Sequence, residues 1–483
     1  MNFKLRSLVA AAVAGSFMMG FGANAMADST DDILNALIAK GVLTEEEGSL
    51  LMKGRTGEKE AAEAKKKSAV SAKYKDGIVL ETGDGKNSLQ INGRIHADYR
   101  NYDYDSSDTS PGALSSAGAD TFDIRRARIG TKFKFLDYYS GEIVTDFSSA
   151  NKLDVAYLNI AWWKPAQIRI GQYKQPFSLE ELTSSNNIDF NERSFADVLH
   201  AEKQAGAMVH GAPVKGFTYA LSLANGENQN SRETDVSVDA KDIIGRATVN
   251  FAELMENKEM VMHVGGAFAK GDIAKNGSTQ FFGGNVATEA RGAQFMTTPT
   301  IAPVAGVDGS IDRSRYNGEL ALAHGPFKVQ GQYINANYDY DATAITNVDA
   351  DVKSYYIQAL WTLTGESHAS RYKDGVFGAL KPKNNFNPET LSGGAWEAGI
   401  RYSKFDASDF KNANGTGISG AGKYTEADAL TLGLKFVANA HVRFLLDYVK
   451  TDFENPVTNG VVTVNGKNED SEKAILFRTQ FAF

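Results

Sequence analysis

The sequence predicts an all-β fold: a transmembrane antiparallel β-barrel of about sixteen strands, preceded by a short N-terminal helical segment in the periplasm. Three observations support this fold class. From residue 87 onward, apolar and polar residues alternate in segments of roughly ten residues, the length of a tilted strand that crosses a bilayer. Short and long connections alternate between these segments. The final segment also alternates and ends on Phe483, which is typical of the last strand of an outer-membrane barrel.

The first residues have the layout of a secretory signal peptide. Lys4 and Arg6 precede an apolar run from Leu8 to Phe21, and small residues follow up to Ala27. We therefore expect a signal peptide over residues 1–27 and an exported mature chain. The run is too short for a good spanning helix, and no other apolar stretch of comparable length occurs. The sequence thus excludes a helical membrane protein.

Residues 28–86 precede the alternating pattern and have helical features of their own. Apolar residues recur at helical spacing between Asp31 and Met52, and Thr44 followed by Glu47 indicates a capping box at the start of a second short helix. Residues 58–75 are mainly Ala, Glu and Lys and have no apolar stripe. We interpret residues 28–86 as a periplasmic helical segment and tether. A trimeric coiled coil or a cell-wall contact is the alternative.

Residues 87–483 form the predicted barrel domain. Tight connections at one rim and long ones at the other are typical of outer-membrane barrels. Two links break this rule: 149–152 is short on the long-loop side, and 365–393 is long on the short-turn side. The predicted strands cover residues 87–101, 120–135, 139–148, 153–163, 166–174, 202–211, 215–224, 240–251, 259–270, 312–324, 326–337, 351–364, 394–405, 426–437, 441–451 and 472–483.

Composition excludes several classes of function. The chain has no cysteine, which rules out disulfide bridges, thiolate metal sites and cysteine nucleophiles. Removal of the signal peptide takes away two of the 51 basic residues and no acidic residue, so 49 basic residues face 59 acidic ones and the formal charge is −10. That balance disfavours nucleic-acid binding. No catalytic or metal-ligating pattern occurs, so we expect no enzyme, no cofactor and no metal site.

The alternation also predicts which charged side chains face a water-filled lumen. In the second strand, Arg126, Arg128, Lys132 and Lys134 share one face, because successive side chains of a strand point to opposite sides. Such a cationic stripe would draw anions into the pore. The same parity test adds further inward cations: Arg94, Arg169, Arg246, Arg315, Arg401 and Arg443.

An alternative is that these cations only pair with lumenal carboxylates, as charged side chains commonly do in wide barrels. The stripe on the second strand argues against this alternative, because no acidic residue shares that face of its own strand. The candidate carboxylates are Asp98, Glu142, Asp146, Glu319, Glu397 and Asp447.

Four motifs give the chain a resemblance to a known family. They are Phe122–Gly130 (FDIRRARIG), Ile168–Glu180 (IRIGQYKQPFSLE), Val376–Lys383 (VFGALKPK) and Gly394–Ser403 (GAWEAGIRYS). Together they resemble the phosphate-selective porin O and P family over residues 87–483. The resemblance implies a sixteen-stranded homotrimer whose third long loop folds inward and whose arginines line the path of phosphate or polyphosphate. Here that loop would be 175–201, with Arg193 within it and Lys174 at its base.

We therefore expect an outer-membrane porin: a water-filled, anion-preferring diffusion channel for phosphate or polyphosphate, surrounded by outer-membrane lipid and lipopolysaccharide. The acidic mature chain departs from a simple anion channel, so two other functions stay open. One is a general or cation-preferring porin with a mixed-charge lumen. The other is a surface adhesin or receptor whose lumen is blocked.

Overall fold

The computed structural model describes residues 29–106, 118–150, 152–226, 240–273, 279–280, 285–297, 300–301, 311–340, 348–410, 424–456, 462–464 and 467–483. The predicted signal peptide, residues 1–27, lies outside the described residues. Residues 29–71 together with 82–85 form one compact unit. Residues 72–81 and the described residues from 86 onward form the other.

The first unit contains two helices, α1 (Ser29–Ala39) and α2 (Glu45–Ser68). The predicted capping box is present: the Glu47 N–H donates to Thr44 Oγ1 at 3.2 Å, and the Thr44 N–H donates to the Glu47 carboxylate at 3.0 Å. The helix α2 has 24 residues and is longer than the predicted short helix, because it continues into the Ala-, Glu- and Lys-rich stretch. None of the helices in the described part of the chain has the length and apolar content needed to cross a membrane.

The second unit is a closed antiparallel barrel in which each of sixteen strands pairs with the next and the last pairs with the first. This confirms the predicted fold class and strand number. The barrel strands are β1 (Ser88–Ser106), β2 (Thr121–Phe135), β3 (Tyr139–Asp146), β4 (Leu153–Ile160), β5 (Gln167–Lys174), β6 (Lys203–Val214), β7 (Phe217–Ala224), β8 (Asp242–Asn250), β9 (Met260–Ile273), β10 (Ile311–His324), β11 (Phe327–Tyr340), β12 (Val348–Thr362), β13 (Ala395–Asp406), β14 (Tyr424–Val437), β15 (Val442–Pro456) and β16 (Lys467–Ala482).

Shorter elements lie before the barrel and in its connections. The strand Ile78–Thr82 pairs with β1 and follows the strand Val70–Tyr74. The connections contain the helices α3 (Leu179–Leu182) and α4 (Phe251–Leu254), 3-10 turns at Phe195–Leu199 and Ala369–Arg371, and short strands at Thr279–Gln280, Asn285–Ala287, Gln294–Thr297, Thr300–Ile301, Tyr372–Lys373, Val376–Phe377 and Val462–Val464.

Alternating burial along the strands separates a lipid face from a lumen face. In β10, for example, Leu320 and Leu322 are exposed, whereas Glu319 and Ala321 are buried. Aromatic side chains are exposed at the short-turn rim, where Phe327 stacks on Trp361 with 6.0 Å between ring centroids. Such an aromatic girdle is typical of the membrane interface. The polar lumen face therefore follows the predicted parity.

The two irregular links do not disturb the strand count. The strands β3 and β4, on either side of link 149–152, pair directly, so this link is a tight connection on the long-loop side. The strands β12 and β13, on either side of link 365–393, also pair directly, from Thr362 opposite Glu397 to Lys353 opposite Asp406. The long link is therefore an insertion at the short-turn rim, which we call the rim link (residues 365–393).

Candidate functional site: the lumen

The loop between β5 and β6, residues 175–201, crosses the lumen, and we call it the inner loop. Its backbone N–H groups donate to side chains on distant strands: Leu179 to Glu319 on β10 at 3.0 Å, and Asn191 to Asp447 on β15 at 2.6 Å. The strands β10 and β15 both lie far around the barrel from β5. The inward fold implied by the family resemblance is therefore present in this chain.

Glu192 of the inner loop is held by three arginines of the barrel wall. Its carboxylate accepts hydrogen bonds from Arg125 at 2.7 Å, Arg100 at 3.0 Å and Arg478 at 3.1 Å. Burial alone would raise the pKa of Glu192, but Arg125 and Arg478 hold it well below its usual range. Asp98 also accepts from Arg100 and Arg478, so two carboxylates are shared among three guanidinium groups.

Arg126 lies next to this group and has no such partner. The residue is 4% exposed, and its Nε and Nη1 have no hydrogen-bond partner among the described residues. In the strand ladder it stands opposite His96 on β1, whose Nδ1 also has no partner there. A buried guanidinium without hydrogen bonds is costly, and an anion is the ligand that removes this cost.

Arg126 ends a row of polar side chains across four neighbouring strands. The ladder pairs Arg443 with Gln480, Gln480 with His96, and His96 with Arg126. Arg94 is two residues before His96 on the same face of β1. Within the described part of the chain, Arg94, Arg126 and Arg443 have no carboxylate within 4.0 Å, and we call these three residues the cationic cluster.

Neutral groups of the inner loop face the cationic cluster. Arg94 donates to Ser185 Oγ at 2.9 Å, and Arg443 donates to the Asn186 carbonyl. The His96 Nε2 lies 3.0 Å from Asn186 Oδ1. Because these partners carry no charge, they fix the positions of the arginines without neutralising them. Hydroxyl and amide groups beside guanidinium groups are suited to an oxyanion.

The other cations on the β2 stripe are partly neutralised. Arg128 pairs with Asp146 at 2.6 Å and with Asp154 at 2.7 Å, and both acids come from neighbouring strands. The pairing alternative therefore holds for Arg128. Lys132 lies 3.8 Å from Glu142 and is half-exposed, and Lys134 pairs with Asp137 at 3.0 Å close to the short-turn rim. These lysines remain accessible to solutes.

Arg169 on β5 has an aromatic environment. Its guanidinium carbon lies 4.3 Å from the centre of the Tyr157 ring and 5.7 Å from that of Tyr173. No ion pair of Arg169 occurs within the described residues, and its Nε has no hydrogen-bond partner there. The aromatic faces stabilise the cation without cancelling its charge.

The remaining predicted candidates are tied to carboxylates and support the walls. Arg246 pairs with Glu319 at 2.6 Å, Arg315 with Asp242 at 2.8 Å and Arg401 with Glu289 at 2.7 Å, and all three arginines are buried. Two further candidates, Arg193 and Lys174, meet Glu181 at 2.9 and 3.4 Å. The structure thus places these five candidates in ion pairs: two pairs join β8 to β10, one joins β13 to residue 289 of the connection between β9 and β10, and two lie within or at the base of the inner loop.

The alternation of strand side chains did not predict that Arg125 faces the lumen. The pairing of β1 with β2 shifts register between His96 and Ala97, so Arg125 has no ladder partner and its side chain reaches Glu192 in the lumen. A bulge reverses the facing of the residue next to it, and alternation alone does not reveal where a bulge lies. The only hint in the sequence is that two consecutive charged residues, Arg125 and Arg126, cannot both face the lumen in a regular strand.

The rim link narrows the lumen from the short-turn side. Its Arg371 contacts Asp189 of the inner loop at 3.5 Å and Glu397 at 3.2 Å. Its Tyr372 hydroxyl lies 2.7 Å from His263 on β9, and its Gly375 carbonyl accepts from Arg246 at 2.9 Å. The rim link and the inner loop therefore meet inside the barrel.

One group of three potential metal ligands occurs among the described residues: Glu181, Asp197 and His200. Arg193 pairs with both Glu181 and Asp197, at 2.9 and 3.6 Å. An arginine in this position competes with a metal ion for the same carboxylates. We therefore interpret Glu181 and Asp197 as ion-pair partners of Arg193 and not as metal ligands.

Comparison with known proteins gives one family. The family model described as phosphate-selective porin O and P matches residues 89–483. Porin O of Pseudomonas aeruginosa is 27% identical over 436 residues, which cover 85% of this chain and 92% of the relative. Among solved structures, the outer-membrane channel DcaP of Acinetobacter baumannii has a TM-score of 0.49 at 11% identity and covers 82% of this chain and 97% of its own.

The anion-selective porin from Comamonas acidovorans has a TM-score of 0.46 at 12% identity, covering 82% of this chain and 100% of its own. The match to the family model is much more specific, because it includes all sixteen strands together with the inner loop and the rim link. The chain is therefore an outer-membrane β-barrel channel that belongs to the phosphate-selective porin O and P family.

Proposed function

We propose that the barrel is an anion-preferring diffusion channel for phosphate or polyphosphate, and that the solute rests at the cationic cluster of Arg94, Arg126 and Arg443. One observation carries this proposal: Arg126 is buried and has no anionic partner within the described residues. A protein keeps such a group only where it is solvated by a ligand or serves a function. An oxyanion in the lumen supplies the missing hydrogen bonds.

From the short-turn side, the path to the cluster starts at accessible cations. Lys132 and Lys134 are the more exposed members of the β2 stripe, and the stripe continues inward to Arg128 and Arg126. An anion passes from weak, hydrated contacts with the lysines to the less hydrated guanidinium groups. Several weak sites in series allow an anion to enter and still leave. Asp146 and Asp154 beside Arg128 limit how tightly it is held.

The mixed charge of this wall supports a second candidate, a general or cation-preferring porin. Arg128 is neutralised by two acids, and the mature chain is acidic overall. The cationic cluster argues against this candidate, because none of its three arginines has a carboxylate within 4.0 Å among the described residues. An adhesin or receptor with a blocked lumen is the third candidate, and conductance separates it from both channels.

Further parts of the proposal follow from the family. We infer a homotrimer embedded in outer-membrane lipid and lipopolysaccharide, with small anions such as phosphate as solutes and no nucleic-acid partner. The family is one of channels, and we infer that this chain carries no enzymatic activity and needs no cofactor or metal.

The test is the reversal potential of the mature protein in a planar bilayer under a potassium chloride gradient. An anion-selective sign, followed by inhibition of the chloride current by added phosphate, is the expected result. A cation-selective sign overturns the proposed solute while leaving the barrel intact. Absence of any conductance favours the adhesin or receptor.

A further inference from the structure

The carboxylate of Glu289 lies in a cradle of hydrogen-bond donors. Arg401 Nη2 donates to it at 2.7 Å, and the Phe195 N–H donates at 2.7 Å. The Ser403 hydroxyl also donates to it, and the Thr431 hydroxyl lies at 3.4 Å. A guanidinium, a backbone N–H and two hydroxyls around one pair of oxygens form a site suited to any small oxyanion.

The donors belong to the barrel wall and the inner loop, whereas Glu289 belongs to a different connection between strands. Arg401 and Ser403 are on β13 and Thr431 is on β14. The guanidinium of Arg401 is packed against the Phe190 ring at 4.7 Å, and its Nε has no hydrogen-bond partner among the described residues. The cradle is therefore built by the barrel and the inner loop, and retains a donor that Glu289 does not satisfy.

Glu289 belongs to residues 285–297 of the long connection between β9 and β10, which we call the outer segment. Its residues Ala290, Ala293 and Phe295 are fully buried. Phe295 packs against Phe195 of the inner loop, with 5.7 Å between ring centroids. The outer segment thus fills the lumen on the long-loop side of the inner loop.

Polar contacts also tie the outer segment to β1 and β16. The Ala290 carbonyl accepts from Arg100 at 3.3 Å and from the Tyr102 hydroxyl at 2.9 Å, both on β1. The Thr288 hydroxyl and the Ala293 N–H each donate to Glu472 on β16 at 2.6 Å. The segment belongs to the connection between β9 and β10 and reaches β1 and β16, six to eight strands further around the barrel, so it lies across the mouth.

We propose that the Glu289 carboxylate is a built-in substitute for the solute, and that an oxyanion such as phosphate replaces it on Arg401, Ser403 and the Phe195 N–H, which releases the outer segment from the mouth. This inference rests on the proposed function. It adds a second anion site, on β13 and β14, and makes the solute a ligand that opens its own entrance. The solute must be an anion with at least two acceptor oxygens, because it takes the positions of both carboxylate oxygens of Glu289. Chloride is a single atom and cannot do so.

Cysteine labelling tests the release directly, because the chain contains no cysteine. Ala290→Cys places one thiol in the buried outer segment, and a small neutral maleimide reports its exposure. The rate of labelling should rise about tenfold and saturate with added phosphate, and should not rise with chloride at equal ionic strength. Ala321→Cys, a buried position on β10, is the matched control and should stay slow in both salts.

Glu289→Gln in the Ala290→Cys background tests the carboxylate. Loss of the charge weakens the contact with Arg401, so labelling should be about tenfold faster without phosphate and should no longer respond to it. Glu454→Gln removes a charge from an exposed acid on β15, near the same rim, and should leave the phosphate response intact.

A phosphate-independent labelling rate in the Ala290→Cys protein overturns the inference, and so does a phosphate response that survives Glu289→Gln unchanged. These outcomes differ from failure of the proposed function. An anion-selective reversal potential combined with phosphate-independent labelling removes only the opening by solute. A cation-selective reversal potential removes the proposed solute itself.

Discussion

At the scale of single residues, Arg126 and Arg128 differ in the charge that surrounds them. Arg128 is balanced by two carboxylates, whereas Arg126 has none within the described residues. We expect Arg126→Gln to weaken phosphate inhibition of the chloride current about tenfold, because one charge-assisted contact is lost, and to leave thermal stability unchanged or higher, because a desolvated charge is removed.

Arg128→Gln is the matched variant for that experiment. It leaves Asp146 and Asp154 with fewer partners in the lumen wall, so it should destabilise the barrel by about 3 kcal/mol in a denaturant titration of the detergent-solubilised protein. Equal loss of phosphate inhibition in both variants, or strong destabilisation by Arg126→Gln, would contradict the assignment of Arg126 as the solute contact.

Glu180 of the inner loop provides a prediction about pH. Burial raises the pKa of this carboxyl to about 7, so it gains a negative charge as the pH rises through neutrality. Anion preference should therefore decrease between about pH 6 and pH 8. Reversal potentials measured across this range check the prediction.

Two loop variants separate Glu180 from its neighbour. Glu180→Gln should clearly reduce the change with pH. Glu181→Gln should preserve it: burial alone would raise the pKa of Glu181, but Arg193 and Lys174 hold it below its usual range, so it is ionised throughout. A pH-independent wild type, or loss of the change only with Glu181→Gln, would refute the role of Glu180.

At the scale of elements, alternation predicted every barrel strand, because lipid on one side and water on the other impose a two-residue period on each strand. Strand ends differed by a few residues where loop-side polar residues continue the ladder, as in β1, which extends to Ser106.

The loops that fold into the lumen have no such two-residue period. The contacts of Glu289 with Arg401 and of Glu192 with Arg125 join distant parts of the chain, and the sequence alone does not reveal them.

The inner loop is anchored on the side away from the cationic cluster by Asp189. Its carboxylate accepts from Lys328 and Gln358, both at 2.6 Å, and lies 3.5 Å from Arg371 of the rim link. Asp189→Asn should loosen the loop, which raises current noise and single-channel conductance without reversing the sign of selectivity. Asp374→Asn in the exposed part of the rim link is the control. Unchanged noise in Asp189→Asn would show that other contacts fix the loop.

At the scale of the whole molecule, net charge and lumen charge differ. The mature chain has a formal charge of −10, yet Arg94, Arg126 and Arg443 lie on the lumen wall without a carboxylate within 4.0 Å among the described residues. Selectivity depends on the field along the solute path, and charges beyond a Debye length of about 8 Å are screened at physiological salt. Net charge therefore carries little information about selectivity, whereas strand parity placed Arg94, Arg126 and Arg443 on the lumen face, where the proposed site lies.

The division of the chain into two units gives the last prediction. All residues assigned to the solute path lie between residues 88 and 483, and β16 pairs with β1 without help from the helices. A variant that keeps the signal peptide but lacks residues 29–68 should form barrels with the wild-type reversal potential. Its oligomer mass in detergent decides between the two interpretations of the helical unit. An unchanged mass agrees with a periplasmic spacer, whereas conversion to monomers with intact conductance would show that α2 holds the subunits together as a coiled coil.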